Sequence, residues 1–293
     1  MCVIHKIVAP KYVSTPGAPP TFNPNSKVQR AEQDTSAPCP DKKRWVQQAI
    51  GLATYFARGV HYNIKTATSK IAMEQSAPTI ATVTKTLRLL HYIYHHRNPV
   101  LRFYPQNMQV QSHSDASYLS EPKARSRYAF VVWIGDPVPK HANFYVPGII
   151  QYDTGVIRNV VTSVAEAEYT GLFLATMWVI KTRHLLEDLG YPQKCTTIFV
   201  DNKCAQGLAN RACKDKNLKH IDMRLHFTRD KVDSNEIAVE YVPTQDNLAD
   251  FGTKNLDTDA FKRKSRNFLY SNPSYLKGEL ETQWCTLQDS GDT

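Results

Sequence analysis

The chain has 293 residues, room for one or two domains with a buried core, and its 42% hydrophobic and 22% charged side chains suit a water-soluble globular protein. No apolar run approaches the roughly 18 residues of a membrane-crossing helix, and the first residues, MCVIHKIVAPKYV, lack the apolar core of a signal peptide. The six cysteines are scattered without CxxC spacing, which argues against a zinc site or a disulfide framework and for a reducing, intracellular setting, cytoplasm or nucleus.

Residues 1–40 are proline-rich and carry runs such as TPGAPPTFNPNS, which cannot hold a helix and have little to bury. They read as a disordered or extended lead-in. Residues 41–100 read as a small basic helical region. Within 43–58, Trp45, Ala49, Leu52 and Phe56 fall on one helical face. Within 79–94, Ile80, Val83, Leu87, Leu90 and Tyr94 step by three and four. A weaker helical stretch lies between, at 66–74. The formal net charge of +9 is concentrated here: residues 41–110 hold ten Lys/Arg against two acids, Asp41 and Glu74. Such a stretch is either a solvated helix surface or the footprint of a polyanion partner, and its lopsidedness favours the polyanion. Lys85, Arg88 and Arg97 are the candidate nucleic-acid contacts in it.

From about residue 101 the pattern changes to alternating strands and helices. The stretch LRFYPQNMQVQSHSDAS predicts strand, turn, strand, with Asp115 at or near the end of the second. RYAFVVWIG (127–135) and ANFYVPGIIQY (142–152) predict two more strands in an antiparallel set. Residues 163–190 predict a long amphipathic helix, with Ser163 and Glu166 as a capping box and Leu172, Ala175, Val179, Leu186 and Leu189 facing the sheet. Ile198, Phe199 and Val200 predict a buried strand. Asp201 follows at its carboxyl end, and Asn202 can cap the helix KCAQGLAN. A further helix is expected around 219–233, a strand at 236–243, and a last helix at 245–254 carrying Asp250. The domain from 101 to 258 is followed by a polar tail, 259–293.

Four acids thus fall at or near the ends of elements far apart in sequence: Asp115, Glu168, Asp201 and Asp250. Only a tertiary fold can gather them, and gathered carboxylates repel one another unless cations lie between them. All-oxygen ligands favour Mg²⁺ or Mn²⁺. Two such ions about 4 Å apart can stabilise both the attacking and the leaving oxygen of a phosphodiester displacement.

The segments SDAS (114–117), SVAEAEYTGL (163–172), VDNKCAQGLA (200–209), KHIDMRLHFTRDKV (219–232) and EYVPTQDNLADFGTK (240–254), in that order, resemble the carboxyl-terminal part of a copia-type LTR retrotransposon polyprotein. That part comprises the end of a reverse transcriptase followed by ribonuclease H. The resemblance implies an α/β, ribonuclease H-like fold with a mixed five-stranded sheet flanked by helices, and metal-dependent cleavage of the RNA strand of an RNA–DNA hybrid. The basic helices would be a thumb or connection remnant. It assigns Asp115, Glu168 rather than Glu166, Asp201 and Asp250 as catalytic metal ligands for two Mg²⁺ ions. Lys219, His220 and Arg224 would follow phosphates, unless that helix is simply a solvated face with Leu225 and Phe227 turned inward. No paired aspartates mark a polymerase active site. Two alternatives stay open: a catalytically inactive, retrotransposon-derived nucleic-acid-binding module, and an integrase-like DNA nuclease of the same fold. The expected partners are an RNA–DNA hybrid and the rest of a polyprotein, with no membrane.

Overall fold

The computed structural model describes residues 12–17, 34–96, 99–101, 103, 107–135, 146, 148–211, 222–254, 256, 258–266 and 270–271. Arg97, Lys219, His220, most of the proline-rich lead-in and all of the chain beyond 271 lie outside the described residues. Three helices come first: α1 (Lys43–Gly59), α2 (Lys65–Glu74) and α3 (Ile80–His95). A two-residue strand, β1 (Pro99–Val100), leads to β2 (Val110–Glu121), β3 (Arg125–Ile134) and β4 (Ile149–Val156). Then follow α4 (Val164–Asp188), β5 (Thr196–Val200), α5 (Lys203–Ala209), α6 (Asp222–Asp233) and β6 (Ile237–Tyr241). The last elements are the one-turn α7 (Asp250–Thr253), α8 (Thr258–Arg266) and β7 (Tyr270–Ser271), which pairs with β1.

The five main strands form one mixed sheet in the order β4-β3-β2-β5-β6. β3 runs antiparallel to β2 and β4, whereas β5 and β6 run parallel to β2. Three meandering strands extended on one side by two parallel strands, each reached through helices, is the ribonuclease H-like fold. Both faces of the sheet are covered, and β3 shows why: Phe130 and Val132 pack under α4, whereas Val131 and Trp133 pack against α1–α3, α7 and α8. A strand buried on both faces reads as a continuous apolar run, as RYAFVVWI does.

Asp115 was expected near a strand end and instead sits in the middle of β2. The terminus that matters is that of β5. The β2–β5 ladder stops where Ser114 faces Val200, so Asp115 and Asp201 follow side by side. Beyond that point β2 pairs with β3 alone, through a register shift between Ser117 and Glu121.

The first three helices form where expected, but with rotated faces. In α1, Leu52 and Phe56 are exposed, and Val46, Ala49, Ile50, Ala53 and Ala57 are buried. Alanines at i, i+4 and i+8 let neighbouring backbones approach more closely than large side chains would. In α3, Ile80 and Tyr94 are exposed, and the buried residues are Thr82, Thr86, Leu89 and Tyr92. The two threonines tolerate burial because their hydroxyls are satisfied: Thr86 donates to the Thr82 carbonyl (2.8 Å) and Thr82 to Glu74 Oε2 (2.9 Å). Counting aliphatic side chains misses both features. Leu189 is likewise exposed just beyond α4. The expected helix over 245–254 is a 3₁₀ turn at Thr244–Asp246 followed by the single turn of α7, and a helix, α8, starts where the polar tail was expected.

The helical region shares its core with the sheet. Val46, Ile50, Ile64, Ile71 and Leu89 form one apolar cluster with Val131, Trp133, Ile149, Tyr152 and Phe251. A buried polar junction joins the same layers. Arg127 of β3 donates to Glu121 (2.5 Å), to Ser69 of α2 (3.2 Å) and to Thr154 of β4 (3.1 Å). The short α7 is seated on the sheet through Gly252, whose carbonyl accepts from Thr154 (2.8 Å). A Cβ added at Gly252 would lie 2.5 Å from the Ala129 Cβ and 2.6 Å from the Tyr152 hydroxyl. Neither can retreat cheaply, because Ala129 is fully buried on β3, between β2 and β4, and Tyr152 is locked in the core. Gly252→Ala is therefore expected to destabilise the fold by about 1–3 kcal/mol, as overpacking does. Calorimetry should show the thermal midpoint falling by about 2–4 °C per kcal/mol; an unchanged midpoint would rule out this packing.

Candidate metal centre

Three of the four expected acids meet. Asp115 from β2, Glu168 from the first turns of α4 and Asp201 at the end of β5 place one carboxylate oxygen each within 4.8 Å of one another. Local structure delivers each of them. Asp201 leaves β5 just where Asn202 stops the strand and caps α5, its side chain accepting from the Cys204 and Ala205 amides at 2.9 and 3.1 Å. Ser163 caps α4 by accepting from the Glu166 amide (3.2 Å). Glu166 does not close the expected capping box on Ser163. It reaches one residue further back, to the amide (2.5 Å) and hydroxyl (2.8 Å) of Thr162. That commits Glu166 to the helix start and leaves Glu168 for the cluster. Gly171, one turn on, lets α4 lie close to the sheet: a Cβ there would be 3.0 Å from the Asp115 carbonyl oxygen.

Two of the three carboxylates accept from neutral donors. Glu168 Oε2 accepts from the Ala116 amide (2.9 Å), beyond the end of the β2–β5 ladder. Asp115 Oδ2 accepts from the Thr253 hydroxyl of α7. Asp115 and Glu168 are buried, and Asp201 is partly exposed. Burial, reinforced by the charge of Asp201, pushes the Asp115 carboxyl up to about 8. Burial and the neighbouring charges of Asp115 and Asp201 likewise raise Glu168 well above the usual carboxylate range. These are the electrostatics of a site whose negative charge is incompletely compensated. Among the described residues the donor set is three carboxylates, with no nitrogen or sulfur ligand, and it fits a hard divalent cation.

Asp250 is not one of the three that meet, although its charge acts on Asp115. It opens α7, and its two oxygens accept from the ammonium groups of Lys254 and Lys264. Burial alone would raise its carboxyl, but the two lysines outweigh burial and hold it below the usual range. The loop that presents it is tied to β2. Asn247 donates to the Ser114 carbonyl (3.0 Å), and the Leu248 amide donates to His113 Nδ1 (3.1 Å). Burial drives the His113 imidazole down to about 3, which keeps it neutral so that Nδ1 accepts. Sequence reasoning did not single out His113, Asn247, Thr253, Lys254 or Lys264. Four of them lie inside or beside the quoted segments, whereas Lys264 lies in what read as polar tail and carries no motif.

Of the expected nucleic-acid contacts, Lys85, Arg88 and Arg224 are among the described residues, and each has partners within the chain. Lys85 pairs with Glu74 (2.7 Å). Arg88 donates to the Gly17 carbonyl (3.1 Å) and the Thr15 hydroxyl (2.8 Å) of the 12–17 segment. Arg224 is half-buried over the Phe173 ring, Leu225 is buried and Phe227 is half-buried. The exposed basic side chains of this region include Lys42, Lys43, Arg44 and Arg58.

The relatives of this chain are retrotransposon Gag-Pol polyproteins. It is 30% identical over 115 residues to the retrovirus-related Pol polyprotein from transposon TNT 1-94 of Nicotiana tabacum, a match covering 39% of this chain and 9% of that protein. It is 23% identical over 266 residues to the transposon Ty1-ER2 Gag-Pol polyprotein of Saccharomyces cerevisiae, covering 88% of this chain and 14% of that protein. The chain therefore spans only a small fraction of the relatives it matches. No family model matches it. Among solved structures, the N-terminal ribonuclease H domain of rv2228c from Mycobacterium tuberculosis aligns over 54% of this chain and 97% of its own, at 19% identity and a TM-score of 0.37. A foamy viral protease-reverse transcriptase in complex with double-stranded DNA aligns over 72% of this chain and 33% of its own, at 14% identity and a TM-score of 0.43. Strand order and direction, rather than these superpositions, define the fold.

A carboxyl raised on folding holds a proton that the unfolded chain has released. Between about 4, the ordinary aspartate value, and the folded Asp115 value of about 8, the stability contributed by this group is lost as pH rises. The thermal midpoint of metal-free wild type should therefore fall relative to that of Asp115→Asn as pH climbs from 5 to about 8. Mg²⁺ should raise the wild-type midpoint most at the upper end and leave the variant nearly unmoved. Parallel pH profiles for the two proteins would contradict this account of the cluster.

Proposed function

We infer that this chain, a relative of retrotransposon polyproteins with a ribonuclease H-like fold, is the ribonuclease H of a copia-type element. It would hydrolyse the RNA strand of an RNA–DNA hybrid with Mg²⁺, or Mn²⁺ in its place. The convergence of Asp115, Glu168 and Asp201 carries the reading, because gathered carboxylates repel one another and a divalent cation between them relieves that repulsion. They are the residues that would hold the ion. When bound, the ion polarises the phosphoryl oxygen and lowers the pKa of a coordinated water. The chain's own contribution is preorganisation. Thr253 and the Ala116 amide keep two carboxylates oriented, and Asn247 and His113 hold the α7 loop against them. A hybrid is recognised by its shape and 2′-hydroxyls, so sequence preference should be weak.

The deciding measurement is cleavage of a labelled RNA–DNA hybrid by the purified chain with Mg²⁺, with double-stranded DNA and double-stranded RNA as controls. Asp201→Asn should lower the rate by at least about a hundredfold, the scale on which electrostatic stabilisation of a transition state is lost. Equal rates in wild type and variant would leave only a nucleic-acid-binding module. Preferential cutting of double-stranded DNA would favour an integrase-like nuclease.

The basic helices share their core with the sheet, so their role in binding is best tested by charge rather than by deletion. Replacing the exposed Lys42, Lys43 and Arg44 with glutamine should weaken hybrid binding uniformly across sequences. It should also flatten the dependence of affinity on salt, by about one unit of log–log slope for each phosphate no longer neutralised. An unchanged salt slope would place the hybrid elsewhere on the surface.

A further inference from the structure

The resemblance implies two divalent ions, the second held with the help of Asp250. The residues around Asp250 do not suit a second ion. Both of its oxygens are taken by ammonium groups, Lys254 on Oδ1 and Lys264 on Oδ2. Lys264 is buried, 7% exposed, and is brought in by α8, an element separate from the loop that carries Asp250. α8 is anchored by Phe261, which packs against Phe251 of α7 with ring centroids 5.1 Å apart and against Tyr92 of α3 at 5.9 Å. Lys254 leaves the same short turn and is more exposed, with 37% of its side chain open to solvent. On the facing side, Asp115 Oδ2 is already engaged by the Thr253 hydroxyl, so the carboxylate that would reach toward a second ion is committed to α7. The three acids that do converge exclude Asp250.

We propose that this site takes one divalent ion, between Asp115, Glu168 and Asp201, and that Lys254 and Lys264 occupy the second cation position as a fixed pair of ammonium charges on Asp250. This rests on the metal-dependent reading of the trio. Lys264 is then a positioning residue: it holds Asp250 away from the metal and, with Lys254, supplies positive charge beside the trio. Burial fixes Lys264 in this role, because a lysine drawn out of water needs a carboxylate partner, and among the described residues Asp250 supplies it.

The test counts ions on the full chain with Mn²⁺ alone, by titration calorimetry together with electron paramagnetic resonance. One ion per wild-type chain, with the spectrum of an isolated Mn²⁺, is the expected result. Two ions with spin–spin coupling would overturn the lysine proposal and leave the proposed nuclease intact. No bound ion would overturn both. In the Lys254→Gln, Lys264→Gln double variant Asp250 is released, and the count should rise from one to two with coupling appearing. A count that stays at one in a folded variant would overturn the proposal. Should that variant fail to fold, the wild-type count still decides.

Discussion

Three carboxylates at the end of β5 sit close enough to share a single counter-ion, and two of them are buried. Bringing like charges together and out of water is unfavourable, so the cluster persists only because the surrounding fold forces it and because a proton or a cation can relieve it. Most of the local architecture serves that arrangement. The parallel β2–β5 register aligns Asp115 with Asp201, the long α4 carries Glu168 to the same place, and Gly171 keeps that helix near the sheet. Neutral donors orient the carboxylates without neutralising them. Lys254 offsets part of their charge, yet Asp115 and Glu168 still stand above the usual carboxylate range.

Asp250 shows the contrasting solution to the same problem. It is as buried as Glu168, yet two lysines hold it ionised. The molecule thus has two neighbouring acidic environments with opposite electrostatics: a trio that keeps its affinity for protons and cations, and a lone aspartate already compensated. α7 joins them, since Thr253 touches Asp115 while Asp250, at the start of the same turn, faces the lysines. Gly252 between them is the close approach that seats this turn on Ala129 and Tyr152.

The amino-terminal helices belong to the same structural unit as the sheet. Their apolar residues fill its second face, and Arg127 crosses between the layers to Ser69. With α4, α5 and α6 on one face and α1–α3, α7 and α8 on the other, β3 is buried on both sides. The cluster sits beside the carboxyl end of β5, where the β2–β5 ladder stops.

Much of this was legible in the sequence. The apolar run of β3, the strand Ile198–Val200 with Asp201 after it, the cap at Asn202 and the long helix bearing Glu168 all follow from side-chain periodicity and capping chemistry, which act over a few residues. The segment order was enough to identify the relatives and the fold. Sequence alone did not reveal which side of α1 and α3 is buried, because alanines and self-satisfied threonines form those faces and hydrophobicity counts ignore both. Nor did it reveal the fate of Asp250. Ligand or ion-pair partner is decided by what stands opposite a carboxylate in space, and Lys264 reaches it only because α8 folds back onto α7. Local patterns could say where the acids lie along the chain; the energy of a charge depends on its distance to every other charge, and that is set only when the tertiary structure closes.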